Sequence, residues 1–403
     1  MKYNFDEVID RTNYHSVKWD DLETTFGAVP KDVLPMWVAD MEFRSPQPVI
    51  EAIKKAAEHG IYGYTSRPDS YYQAIIDWME RRHSWKVKKD WLAFSPGVVP
   101  ALSFIIRAFT QPGDKVVDQP PVYYPFFRVI ENNGCRVVNN PLKFSNKKYF
   151  IDWEDLERKI DDPRVKLLIL CSPHNPVGRV WQKEELIILG EICLKHNIIV
   201  VSDEIHADIL FKGYKHTPFA SISPAFAHHS ITCTAPSKTF NLAGLQTSTI
   251  IIPNKKYYKI YNNILDSLAL DENNVFGLVA LEAAYRDGEE WLEQLLAYLN
   301  ENLEFLMKYF RERIPKIKVI KPEGTYLVWL DCRQLGLSTK DLNNFMINKA
   351  GVALDGGDWF GTEGKGFMRI NIACPRSFLE ECLKRIERAA GKNAPGGGSL
   401  AGK

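Results

Sequence analysis

Short apolar runs alternate with longer helical patterns through the middle of the chain, and this rhythm restricts the fold more than any other feature. Strand candidates are Lys115–Val117, Leu167–Leu170, Ile198–Val201, Ile231–Thr234 and Ser248–Ile252. Helical patterns separate them, such as Gln182–His196 with Leu186, Leu189, Ile192 and Cys193 on one face. Strand–helix–strand units repeating at roughly 30 residues predict a mainly parallel sheet covered on both faces. After about residue 271 the pattern changes. Helices are expected over Asp271–Asp287, Gly288–Arg313, Thr339–Ala350 and Ser377–Ala390, with strands at Lys316–Ile320, Thr325–Leu330 and Met368–Ile372. These predict a smaller α+β domain beside the large α/β one. At 403 residues the chain has room for two or three domains. The tail from Asn393 is rich in Gly and Ser and is expected to be disordered.

Three unusual clusters follow the central strands. Leu167–Leu170 runs into Cys171-Ser-Pro-His-Asn175-Pro-Val-Gly178, Ile198–Val201 into Ser202-Asp203-Glu-Ile-His206, and Ile231–Thr234 into Ala235-Pro-Ser237-Lys238. In an open α/β sheet, ligands bind beyond the carboxyl ends of the strands. A parallel sheet therefore brings Asn175, Asp203 and Lys238 to one edge, although they are 28 and 35 residues apart. Taken singly, each has an ordinary reading: a surface lysine, an Asn-Pro turn, a capping aspartate. Together, an amide, a carboxylate and a lysine suit a carbonyl cofactor with a basic ring nitrogen. The lysine forms the Schiff base, the aspartate keeps the ring protonated, and the asparagine bonds the phenolic oxygen. That is pyridoxal 5'-phosphate chemistry. Ser95-Pro-Gly97-Val98-Val99-Pro100 precedes an apolar helix, and free backbone N–H groups there suit a phosphate. Ser237 adds a hydroxyl. Tyr123, after strand Lys115–Val117, is placed to stack on the ring.

Charge narrows the alternatives. Lys and Arg number 51 against 50 Asp and Glu, which leaves no basic excess for nucleic acid. The seven cysteines have no C-x-x-C spacing, so neither a disulfide framework nor a zinc site is expected. The N-terminus has no apolar signal segment, and no apolar run approaches the ~20 residues of a membrane span. A soluble cytoplasmic enzyme without a metal is the expectation.

In these motifs the sequence resembles the fold-type I pyridoxal phosphate enzymes, the aspartate aminotransferase superfamily, over about residues 3 to 390. Within it, the narrower resemblance is to the MalY/PatB-type cystathionine β-lyases. It is carried by Trp37-Val-Ala-Asp40-Met-Glu-Phe43, Tyr62-Gly-Tyr64-Thr65, Ser95–Pro100, Cys171–Gly178, Ser202–His206 and Ser237-Lys-Thr-Phe-Asn-Leu-Ala-Gly-Leu245. The resemblance implies a large cofactor-binding domain over 45–288 and a small domain from 1–44 and 289–391, with 392–403 as the tail. It makes Lys238 the catalytic Schiff-base lysine. Asp203 would pair with the ring nitrogen, Asn175 would bond the phenolic oxygen, and Tyr123 would stack on the ring. Val98, Val99 and Ser237 would hold the phosphate. Tyr64 would reach the neighbouring subunit's phosphate, making a homodimer the working unit. Arg369 would clamp the substrate carboxylate bidentately, helped by the backbone at Ala39.

Two departures from the aminotransferase pattern favour the lyase branch. His206 stands where many aminotransferases have tyrosine, and Asn241–Gln246 lacks their phosphate-binding arginine. Glu42 stands where the lyase branch commonly has aspartate. The implied reaction is β-elimination from L-cystathionine or related L-cysteine S-conjugates, giving a thiol, pyruvate and ammonia. An aminotransferase and a regulatory binding protein that keeps the fold are the alternatives. Gly356–Gly366, containing Trp359 and Phe360, has the composition of a mobile loop.

Overall fold

The computed structural model describes residues 2–270 and 272–391. The Gly-rich tail lies outside them, as does Asp271, where the first C-terminal helix was expected to begin. Seven strands form the main sheet: β1 (Leu92–Ser95), β2 (Lys115–Asp118), β3 (Arg136–Asn139), β4 (Val165–Cys171), β5 (Ile199–Asp203), β6 (Ser230–Thr234) and β7 (Ser248–Ile251). Their spatial order is β1-β7-β6-β5-β4-β2-β3, with β7 antiparallel to both neighbours and every other pairing parallel. The fold is α/β, a mainly parallel sheet with one antiparallel strand, β7.

Side chains alternate between the two faces, so adjacent residues enter different cores. Leu167 and Ile169 pack with helices Val98–Phe109 (α1), Pro125–Asn132 (α2) and Lys255–Leu268 (α4). Leu168 and Leu170 pack with Leu186, Leu189 and Cys193 of the intervening helix α3 (Lys183–Lys195). Burial on both faces explains why these strands read as unbroken apolar runs. The start of α3 is fixed by Glu185, whose carboxylate accepts the Gln182 amide at 2.8 Å.

A second sheet comprises β8 (Lys318–Ile320), β9 (Leu327–Asp331), β10 (Asp355–Gly356) and β11 (Phe367–Asn371), in the order β8-β9-β11-β10 and antiparallel throughout. Helices Glu289–Arg313 and Arg376–Gly391 share its core. The N-terminal segment joins this part of the molecule. Leu34–Pro35 pairs in parallel with Val352–Ala353, and Phe5 packs edge-on against Trp291.

Two local expectations are revised. The helix expected over Thr339–Ala350 is α-helical only to Asn344, then widens into a π turn over Phe345–Lys349. Phe345, Met346 and Ile347 are all buried there, more consecutive side chains than one α-helical face can hide. The glycines of Gly356–Gly366 serve close packing. A Cβ on Gly357 would lie 2.0 Å from the Gly364 carbonyl oxygen, and Phe360 is fully buried.

Candidate active site

The carboxyl ends of β4, β5 and β6 open onto one cavity of about 200 Å³. Asp203 is the last residue of β5, Asn175 follows β4, and Lys238 lies in the single turn Pro236–Thr239 after β6. All three line the cavity, together with Ala39, Val98, Val99, Tyr123, His206 and Ser237. Gly97 precedes α1, whose first turn carries no side-chain cap, so its N–H groups remain available to an anion. Thr247 and Cys171 also line the cavity and were not anticipated. Among the described residues, no cluster of three His, Cys, Asp or Glu could hold a metal.

The charged groups are tuned by burial. Lys238 Nζ donates to the Ala39 carbonyl at 2.7 Å. Desolvation brings its ammonium down to about 8, against the upward pull of Asp40. Desolvation pushes the Asp203 carboxyl up to about 7, and its Oδ1 accepts the Ile205 amide at 3.1 Å. His206 is held neutral by burial, and its Nδ1 has no protein partner. A pyridinium ring with an anionic phosphate fits these requirements. Its ring N–H would give Asp203 the cationic partner it lacks. The α1 amides and the Ser237 hydroxyl would meet the phosphate. The depressed lysine is suited to carbonyl chemistry.

Arg369, at the middle of β11, is buried beside the cavity and does not line it. Nη1 donates to Asn175 Oδ1 at 2.9 Å and Nη2 to the Trp37 carbonyl at 3.1 Å. Nη2 also pairs with Asp355 on neighbouring β10, a residue the sequence reading missed. Only strand register reveals that partner. Tyr64 is 95% exposed and far from burial in its own chain, so it is not brought to this cavity.

Ala39 lines the cavity, and the segment 38–43 that carries it is held from several directions. The Ala39 carbonyl also accepts the Tyr326 hydroxyl at 3.0 Å. Asn241, three residues after Lys238, bonds Met41 and Phe43, while Asn371, two residues after Arg369, bonds Val38 and Asp40. Behind them, Glu42 pairs with Lys18 at 2.7 Å and Arg11 at 2.9 Å, and accepts the Trp19 indole at 3.1 Å. This threefold contact accounts for a glutamate at position 42. Lys18 is only 1% exposed. Glu42→Ala would leave that ammonium with only the more distant Asp40, at 3.5 Å. The variant is expected to lose about 3 kcal/mol of stability, the cost of breaking a buried ion pair. Urea unfolding of the two proteins side by side measures it, and an unchanged midpoint would refute a structural role for the cluster.

A second buried network braces the lysine turn. His83 Nε2 meets Asp208 Oδ1 at 2.8 Å, and Asp208 Oδ2 accepts from Thr239, the residue after Lys238, at 2.7 Å. His216 meets Glu204, the residue after Asp203, at 2.9 Å.

Comparison with known proteins places this architecture. The family model for aminotransferase class I and II matches residues 31–386. Cystathionine beta-lyase PatB of Bacillus subtilis is 48% identical over 386 residues, covering 96% of this chain and 99% of the relative. Cystalysin from Treponema denticola, solved with a pyridoxal 5'-phosphate cofactor, superposes with a TM-score of 0.95 at 40% identity, covering 97% of this chain and 100% of that one. A pyridoxal phosphate-bound protein of Clostridium difficile 630, provisionally described as an aminotransferase, gives a TM-score of 0.94 at 51% identity, covering 96% of this chain and 100% of that one.

Proposed function

This chain belongs to the class I and II aminotransferase family, and we propose that its activity within that family is carbon–sulfur β-elimination. It is a pyridoxal phosphate-dependent lyase that cleaves L-cystathionine or related L-cysteine S-conjugates to a thiol, pyruvate and ammonia. The observation that carries this reading is the full-length likeness to a cystathionine beta-lyase, joined to a cavity that holds a low-pKa lysine opposite a buried aspartate. When bound, pyridoxal phosphate supplies an electron sink for the carbanion at the substrate Cα.

The chain's own residues would do the rest. The Val98 and Val99 amides and the Ser237 hydroxyl would hold the phosphate, and Asp203 would accept from the ring nitrogen. Asn175 would bond the phenolic oxygen, Tyr123 would cover one ring face, and Lys238 would anchor the carbonyl. His206, neutral and buried, would pack beside the ring. The lowered ammonium leaves Lys238 more free amine near neutral pH than an ordinary lysine has. Freed from the cofactor by the substrate amine, Nζ would take the Cα proton. Arg369 would bind the substrate carboxylate and Ala39 would contribute its backbone. The absence of an arginine in Asn241–Gln246 leaves the phosphate to neutral donors.

We place residues 45–288 in the cofactor-binding domain and 1–44 with 289–391 in the small domain. The pairing of Leu34–Pro35 with Val352–Ala353 supports the split. The working unit is a homodimer in which Tyr64 reaches the phosphate of the other site. Ile61 and Tyr62 are exposed along with Tyr64, a surface suited to burial against a second copy. Seven buried free thiols suit the reducing cytoplasm. Among the described residues no helix is long and apolar enough to cross a membrane.

The test uses the cofactor-loaded protein and L-cystathionine without any keto acid. Pyruvate and homocysteine are expected in equal, sustained amounts from a species that sediments as two chains. A single turnover that resumes only when a keto acid is added would mean an aminotransferase. A monomer with full activity would remove Tyr64 from the site.

A further inference from the structure

Arg369 cannot clamp a substrate carboxylate bidentately as it stands: Nε has no partner, but Nη2 is fully engaged. Asp355 and Arg369 stand directly opposite on antiparallel strands, so sheet register builds their contact. Both are buried, at 1% and 2% exposure. A guanidinium offers a carboxylate two forks, Nε with Nη2 or Nη1 with Nη2, and each needs an Nη2 hydrogen. Nη2 already serves Asp355 and the Trp37 carbonyl. Phe360 lies 5.0 Å from the guanidinium carbon and restricts the group's plane. A carboxylate bound at either fork therefore has to displace one occupant. The Trp37 carbonyl is part of the backbone. Asp355 is a side chain, and its other oxygen, Oδ1, has no partner at all.

We propose that Asp355 is an internal rival for the substrate carboxylate, occupying Arg369 in the free enzyme and yielding to the substrate, so that it sets the affinity for amino acids. The proposal rests on the reading that Arg369 binds the substrate carboxylate. It makes Asp355 a positioning residue that acts through the arginine. Burial already pushes the Asp355 carboxyl up to about 6, even with Arg369 beside it. Once displaced it can take a proton rather than remain a bare buried charge. A binding-competent arginine populated a tenth of the time raises the apparent dissociation constant about tenfold.

The experiment is steady-state kinetics of the cofactor-loaded enzyme on L-cystathionine, for wild type, Asp355→Asn and Arg369→Gln. Asparagine keeps the shape and an acceptor but removes the competing charge. Asp355→Asn is expected to lower KM about tenfold, with kcat/KM rising in proportion. If Asp355 only props the arginine, KM rises or stays the same, and the proposal fails. Asp355→Ser carries the same expected sign and serves if the asparagine variant does not fold. Arg369→Gln tests the underlying reading separately. A raised KM there with no gain in Asp355→Asn overturns the rivalry alone, and an unchanged KM overturns both.

Discussion

Lys238→Ala is expected to remove pyruvate release from L-cystathionine by at least about 10⁴-fold, the upper range for one positioned acid–base group. On the proposed mechanism the variant loses both the cofactor's anchor and the base. No neighbour can replace it. His206 also lines the cavity, but burial lowers its basicity and makes it a poor acceptor for the Cα proton. A small added amine such as methylamine is expected to restore part of the activity by entering the vacated space, while cofactor binding persists through the phosphate and ring contacts. Retention of more than one per cent of wild-type turnover would assign the proton transfer to another group.

The second large effect is at Asp203. Asp203→Asn preserves shape and removes the anion proposed to pair with the ring nitrogen. Turnover is expected to fall on the order of 10²–10³-fold, as for other single preorganised electrostatic contacts. Stability should move the other way in the cofactor-free protein. Burial raises the Asp203 carboxyl to about 7, well above its unfolded value. The unfolded chain ionises first, so stability from this group is complete below the ordinary carboxylate range. It is lost as the pH rises toward about 7. Asparagine carries no such penalty. The cofactor-free variant should therefore melt above cofactor-free wild type at pH 8 and match it near pH 3.5. Equal melting at both values would show that Asp203 is not held against its charge.

These residues were legible because each belongs to a strand end, and strand ends in this fold are local events. Leu167–Leu170 and Ile199–Val201 are buried on both faces and leave an uninterrupted apolar signal directly before the polar clusters. The chemistry follows within five residues. Asp355 gave no such signal. Its importance lies in facing Arg369 across two strands, a relation created by sheet register. The π turn at Phe345–Lys349 was hidden for a related reason, since its apolar run is set by two separate cores. Glycine misled in the opposite sense. At Gly357 and Gly364 it marks backbones pressed together, and composition alone does not distinguish that from freedom.

Residues 38–43 carry Ala39 into the cavity and bridge two asparagines. Asn241 holds the segment from the lysine's side, Asn371 from the arginine's, and the groups they grip are mostly main-chain carbonyls. The spacing between amine and guanidinium is thus gauged by a length of peptide rather than by side chains. Alanine scanning along it would pass over its contribution at Val38 and Met41, because alanine supplies the same carbonyls. Changes of length would not be forgiven. A one-residue insertion between Asp40 and Met41 would shift the rungs held by the two asparagines relative to each other. Sequence variation in this segment should therefore be free in side-chain identity at those positions and strict in count.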